Sequence, residues 1–363
     1  MNEPRQEQLR KIVIKGFKSI KECELDLKNI NVLIGANGAG KSNLISIFEM
    51  LQSVLAGELK YYAGKRGIEN LFHNGMDATD RILSEFYFGQ NMYSFEVEWT
   101  ENNSLLFREE RIETGNATWG DGGYNETKAK NALSNDNIDK EAVAALLQTS
   151  WCVYRFQDTT PSSRKKSEQN VSNDIAFMSD GQNLAAFLYR LKEGFLKEYA
   201  DILRAVQMVA PYFKDFVLTP KEQNDEQILL RWQHKANKEV WGASQLSDGT
   251  LRFICLATLL LQPAELQPSV IIIDEPELGL HPFAISIFTE MVQKVAVDRQ
   301  VILATQSADL LNCFTADDVI VVDYEDGSKF ERKNSEQLAY WLENDYTLGE
   351  LWNNNVLGGR FAK

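Results

Sequence analysis

Cysteine is scarce: the 363 residues include Cys23, Cys152, Cys255 and Cys313, far apart and with no CxxC pair. That spacing excludes a disulfide framework and a zinc ribbon as readings. The three histidines, His73, His234 and His281, fall in no metal-ligand spacing, and no nucleophile elbow is visible, so neither a nuclease nor a protease centre is indicated within the chain. There is no run of 18 apolar residues, and the opening MNEPRQEQLRK has no apolar segment. Secretion and membrane spanning are thereby excluded as first readings, and a soluble, cytoplasmic protein is expected. Basic residues are the scarcer charge, 38 Lys and Arg against 52 Asp and Glu, for a formal net charge of −14. Such a chain is no general nucleic-acid coat, and any DNA contact would need a local basic patch. Internal repeats and a heptad run long enough for a coiled-coil arm are also missing. What is present is a globular composition, 44% hydrophobic and 25% charged, sized for one large domain or two intimately joined ones.

The hydrophobic pattern gives the element types. Ile12 to Ile14, then Cys23, Leu25 and Leu27 alternating with charge, and the apolar run at 30–34 predict two half-exposed strands feeding a buried one. Leu44, Ile47, Phe48, Leu51 and Leu55 predict an amphipathic helix over 42–56. Phe86 and Phe88, with Tyr93, Phe95, Val97 and Trp99, predict a hairpin around Gly89, which would extend an antiparallel sheet. Residues 114–137 are rich in Gly, Asn, Thr and Asp and read as a mobile loop, whereas 180–209 have helical periodicity through Leu184, Phe187, Leu188, Leu191 and Phe195. Strands are predicted at 269–273, 300–304 and 319–323, with a helix over about 283–297, which implies a parallel sheet with helices on its faces. Trp99, Trp151, Trp232, Trp241 and Trp352 read as packing residues.

Three segments carry chemistry. GANGAGKS at 35–42 matches G-x-x-x-x-G-K-[ST] in full, between an apolar strand and an amphipathic helix. Its glycines would let backbone N–H groups surround phosphates, with Lys41 reaching the β- and γ-phosphates and Ser42 ligating Mg²⁺. Asn37, Gly38, Ala39, Gly40, Lys41, Ser42 and Asn43 are therefore the expected nucleotide-binding residues. The apolar strand before Asp274-Glu275-Pro276 places two carboxylates at a strand end, where Asp274 would hold Mg²⁺ and Glu275 would orient or deprotonate the attacking water. QLSDGT at 245–250 precedes the apolar run 251–261, with Ser247 as N-cap and Gly249 freeing the backbone. Plain helix capping accounts for Ser247 as well as anion binding does. His281 is open between a seam contact and an ordinary loop residue.

Phosphate loop, LSDGT and Asp-Glu-Pro, in that order, resemble the ABC-type ATPases, with LSDGT standing where that class carries an LSGGQ-like signature. IKGFKSI at 14–20 and NVLIGANGAGKSN at 31–43 resemble the opening of the RecF, SMC and OLD-like branch. The resemblance covers about 1–60 and 240–325. It implies an α/β P-loop NTPase of ABC-ATPase type, with a mixed sheet, an N-terminal antiparallel β region and an inserted helical lobe. It further implies ATP and Mg²⁺ as cofactors and a head-to-tail homodimer, or higher homo-oligomer, closed over ATP. Ser247 and Gly249 of one copy would then touch the γ-phosphate held by Lys41 of the other. The loop glutamine that senses Mg²⁺ and phosphate would be Gln157 in YRFQDTT, for which a surface-loop role is equally open. Where the family's switch segment reads Thr-His-Ser, this sequence has Thr305-Gln306-Ser307, and an amide cannot carry a proton as imidazole can, so slow turnover without a partner is expected.

YRFQDTT at 154–160 and LGELWNNNVLGGR at 348–360 resemble stand-alone bacterial ATPases that work beside a separately encoded effector, such as a TOPRIM-like nuclease, frequently in phage defence. An ATP-driven switch for such an effector is the first reading. A RecF-like clamp on duplex DNA is the second, with Arg155, Arg164, Lys165, Lys166, Lys60, Lys65 and Arg66 as its basic residues, although a solvated lysine-rich surface explains them equally. An ATP-binding scaffold with little turnover is the third. The expected organisation is 1–112 and 226–330 as halves of the ATPase head, 113–225 as a variable lobe and 331–363 as a tail.

Overall fold

The computed structural model describes residues 8–102, 104–115, 117–160, 162–221 and 224–359. The chain divides into two compact units, one of residues 1–152 and 314–363, the other of residues 153–313. In the first, six strands form an antiparallel sheet in the order Ile20–Asp26, Leu9–Phe17, Arg81–Phe88, Asn91–Thr100, Ser104–Thr114 and Ala117–Asp121. Alternation puts Phe86, Phe95 and Phe107 on one face, all fully buried, with neighbouring ring centroids 6.2 Å apart. The strand Ile30–Ile34 runs parallel to Val319–Tyr324, which pairs antiparallel with Ser328–Arg332. The helix Lys41–Ala56 follows, burying Leu44, Ile47, Phe48 and Leu51 at the predicted spacing, with Val54 rather than Leu55 turned fully inward in the last turn.

In the second unit Val270–Asp274 runs parallel to Gln300–Thr305, and the connecting chain forms the helix Pro282–Val295. Ile271 to Ile273 are buried, and the strand emerges at Asp274. The helix Asp248–Leu261 buries nine of its residues. A three-stranded antiparallel sheet of Phe213–Val217, Arg231–His234 and Val240–Gly242 is centred on the buried Trp232, stacked 5.3 Å from Phe213.

Two expectations are corrected. Residues 114–137 are not one mobile loop: Ala117–Asp121 adds an edge strand to Ser104–Thr114, and a 3-10 turn spans Ala129–Ser134. Composition reads as loop here because glycine allows the close pass, and a Cβ on Gly122 would lie 2.3 Å from the Arg108 carbonyl oxygen. The segment is also tied down by buried Glu110, which accepts hydrogen bonds from Tyr93, Tyr124 and Thr127 hydroxyls and from Lys128 N. The helical stretch at 180–209 is two helices, Leu184–Gly194 and Leu196–Val209, parted at Phe195, whose φ of −139° and ψ of 60° leave the helical region after a weak helix former.

Candidate functional site

The phosphate loop is built by close approaches within the first unit. Ala36 N donates to Gly359 O at 2.8 Å, which ties the loop's entry to the C-terminal segment. Gly40 has φ 116°, and a Cβ there would lie 1.9 Å from Ser328 Oγ, so only glycine fits. The helix Lys41–Ala56 then opens with no side-chain cap and no acidic residue in its first turn. Its first N–H groups and dipole are therefore free of an internal anion, the arrangement an anionic ligand uses. Lys41, only 6% exposed, donates to Gly35 O at 2.5 Å and Ala36 O at 3.0 Å, so its ammonium is held over the loop. Asn37, Gly38 and Ser42 are exposed, Ala39 is buried, and Asn43 donates to Ser19 Oγ at 2.6 Å. Beside Asn43 lies a cavity of about 710 Å³ lined by Lys18, Arg66, Asn70 and Phe72, of the size small-molecule pockets have.

In the second unit five residues singled out from the sequence gather: Arg155, Gln157, Asp274, Glu275 and Gln306. Tyr154 and Phe156 are buried, with Phe156 5.8 Å from Phe177, so the alternating Arg155 and Gln157 share the opposite side. Arg155 Nε donates to Asp274 Oδ2 at 3.2 Å. Gln157 Nε2 donates to Glu275 Oε2 at 3.2 Å, and Gln306 Nε2 donates to Glu275 Oε1 at 3.1 Å. Both Glu275 oxygens are thus oriented by amide donors. Glu275 also has φ 52°, a left-handed backbone unusual for a side chain of this length, while its N–H donates to Ala304 O at 2.8 Å. Pro276 disfavours the right-handed helical region for the residue before it. The chain leaves the strand through a conformation that costs about 1–3 kcal/mol.

Ser247 is the N-cap of Asp248–Leu261, its Oγ accepting from Thr250 N at 3.1 Å, and it is exposed. Gly249 passes Gly279 so closely that a Cβ would lie 2.2 Å from the Gly279 oxygen. His281 caps Pro282–Val295 through Nδ1, which accepts from Phe283 N at 3.3 Å.

The residues 30–312 match the family described as "AAA domain, putative AbiEii toxin, Type IV TA system". The chain belongs to this family. Old nuclease of Escherichia phage P2 is 26% identical over 371 positions, covering 90% of this chain and 61% of that protein, so the chain spans about three fifths of that relative's length. The tungstate uptake system ATP-binding protein TupC of Campylobacter jejuni is 28% identical over 102 residues, 26% of this chain and 31% of that protein. Among solved structures, an SmcHead bound to the C-winged helix domain of ScpA superposes with a TM-score of 0.60 at 17% identity, covering 92% of this chain and 99% of that one. The Smc head from Pyrococcus furiosus gives 0.55 at 14% identity, covering 93% and 99%. The likeness to the Smc heads shows an ABC-type ATPase-head fold, and the family match and the likeness to Old nuclease agree with the resemblance to the RecF, SMC and OLD-like branch.

Sequence reading of this AAA-family chain missed two residues. Glu277 Oε1 accepts from Thr305 Oγ1 at 2.6 Å, its Oε2 is buried without a partner, and burial raises its pKa above the ordinary glutamate value. Thr305 Oγ1 in turn accepts from Ser307 N at 2.9 Å, so Glu277 holds the segment that presents Gln306. Arg252 spans from Leu278 O at 2.8 Å to Gln157 O at 2.9 Å, joining the LSDGT helix to both loops beside Glu275. Only a carboxylate two positions past the Asp-Glu pair hinted at the first, and no motif marked the second.

The proposed basic patch is largely engaged elsewhere. Lys165 is 2% exposed and donates to Asp158 O, Lys166 donates to Thr159 O, Arg164 donates to Gln182, Arg155 faces Asp274, and Arg66 pairs with Glu49.

The residues expected to hold Mg²⁺ carry hard oxygens, the ligand type this ion takes alongside phosphate and water: the Ser42 hydroxyl in the first unit, and the Asp274 carboxylate and Gln157 amide oxygen in the second. Among the described residues no group of three His, Cys, Asp or Glu is placed to hold a metal by itself. No helix among the described residues is long and apolar enough to cross a membrane.

Proposed function

We propose that the chain binds MgATP at its phosphate loop, hydrolyses it slowly with Glu275 as the base, and serves as a nucleotide switch for a separately encoded effector. The observation that carries this reading is the Glu275 carboxylate, gripped by Gln157 and Gln306 on a strained backbone. Two amide N–H donors orient the carboxylate and leave its remaining lone pairs for a water. That water is oriented toward the γ-phosphorus and gives its proton to Glu275 as the P–O bond forms and the bond to ADP breaks. Lys41 exchanges the Gly35 and Ala36 oxygens for phosphate oxygens, and the uncapped helix start adds N–H donors. Ser42, Asp274 and Gln157 would hold Mg²⁺, which would supply charge neutralisation for the transferring phosphoryl group. Gln306 orients Glu275 but cannot relay a proton, which keeps turnover low.

Ser247 and Gly249 of a second copy complete the γ-phosphate contacts, so ATP closes a homodimer and hydrolysis reopens it. The likeness to a protein named Old nuclease, of which this chain covers 61%, supports a nuclease as the effector's activity, while its separate chain and a setting in phage defence are carried over from the sequence resemblance. Wild type and Glu275→Gln are compared for phosphate release and for size in solution with MgATP. The variant should lose about 10²–10⁴-fold in turnover and accumulate as an ATP-dependent dimer. Equal turnover in the two proteins removes Glu275 from the mechanism, and a monomer at every nucleotide concentration removes the switch.

A further inference from the structure

We propose that the helix Ser335–Leu342 and the turn after it dock a basic, amphipathic segment of a partner protein. Of this helix only Leu338 is buried, although it carries Ala339, Tyr340, Trp341 and Leu342 as well. Helical spacing sets Glu336, Tyr340 and Glu343 in one stripe, all exposed, with Tyr340 71% exposed. The rings form a braced shelf: Trp341 meets Tyr340 edge-on at 5.5 Å and Tyr346 edge-on at 5.2 Å. Tyr346 is carried there by a turn in which Asp345 takes φ 65° and Tyr346 N donates to Trp341 O at 3.1 Å. The turn is an ordinary left-handed helix end, and it gathers three aromatic rings of which Tyr340 is 71% and Tyr346 41% exposed, apolar surface of the kind that marks interaction sites.

Charge complementarity selects the occupant. From position 334 to 359 there is no Lys, Arg or His, against Glu336, Glu343, Asp345 and Glu350. Among the described residues none forms an ion pair with Glu336, Glu343 or Asp345. Nucleic acid and anionic lipid are repelled by such a face, and so is the same acidic face of a second copy. Arginine or lysine satisfies both features at once, lying over the Tyr and Trp faces while pairing with the carboxylates, and apolar anchors on the same segment cover the rings. The inference extends the effector half of the preceding reading but uses none of the nucleotide-site residues.

The test titrates the full chain with an 18-residue synthetic helix bearing arginines on one face and leucines on the other. Its counterpart with glutamates in place of the arginines is the control, and amide hydrogen exchange locates the contact. Saturable binding with protection confined to about 335–346, at least tenfold weaker for Glu336→Lys/Glu343→Lys and for Tyr340→Ser, and absent with the glutamate peptide, supports the proposal. Protection elsewhere, equal binding by the variants, or no binding overturns it. Concentration-dependent protection of 335–346 without peptide assigns the face to a second copy and also overturns it. ATP turnover of the same variants is unchanged, so failure here is distinct from failure of the nucleotide reading.

Discussion

Glu275 and Glu277 stand two residues apart and face opposite demands. The first is oriented by two amides and, in the proposed function, serves as the base, whereas the second is buried with one oxygen unpartnered, and burial raises its pKa. A carboxyl raised in the folded state binds more protons folded than unfolded, in the window from the ordinary glutamate value up to the raised one. Stability therefore falls as pH rises through that window. Glu277→Gln keeps an acceptor for Thr305 and removes the titration, so its melting temperature should fall less than that of wild type between pH 4.5 and 8. Thermal unfolding across that range decides it, and parallel curves would show that Glu277 adds no such slope. The Asp-Glu pair was legible from an apolar strand ending in acids, but the strain at Glu275 was not, since it depends on Pro276 and on the Ala304 oxygen together.

Among the elements, strong periodicity translated directly: the phosphate-loop helix, the hairpin around Gly89 and the parallel pair of strands lie where the pattern puts them. The stretch from 114 to 137 did not, because its order comes from a partner strand and from Glu110 rather than from its own apolar pattern. Glu110 is fully buried, and its carboxylate serves four donors. Glu110→Ala would orphan Tyr93, Tyr124 and Thr127 hydroxyls and one backbone N–H, and should cost about 3 kcal/mol by denaturant unfolding. Hydrogen exchange over 122–134 should rise with it. Glu110→Gln, which retains acceptor capacity, should lose less, and equal losses would mean that packing and not hydrogen bonding holds the segment.

For the whole molecule, the phosphate loop belongs to one compact unit and the carboxylate group to the other. MgATP that binds the native chain and not the unfolded one stabilises it by about 2.7 kcal/mol at a hundredfold excess over Kd. Glu275→Gln, which retains ATP, should therefore melt several degrees higher with MgATP, and adding Lys41→Ala should abolish the shift. Differential scanning fluorimetry reads both, and a shift that survives Lys41→Ala would place the nucleotide elsewhere.

The sequence alone determined the family-level chemistry, because a phosphate loop, a helix cap and an acid-terminated strand are each made from contiguous residues whose spacing is itself the geometry. Tertiary structure alone decided what those residues touch. Gln157 reaches Glu275 across 118 positions and Gln306 across 31, and Arg252 closes the loops that hold them. No periodicity encodes such pairings, since they follow from which buried anchors bring distant loops together and from the need to give each buried polar atom a partner.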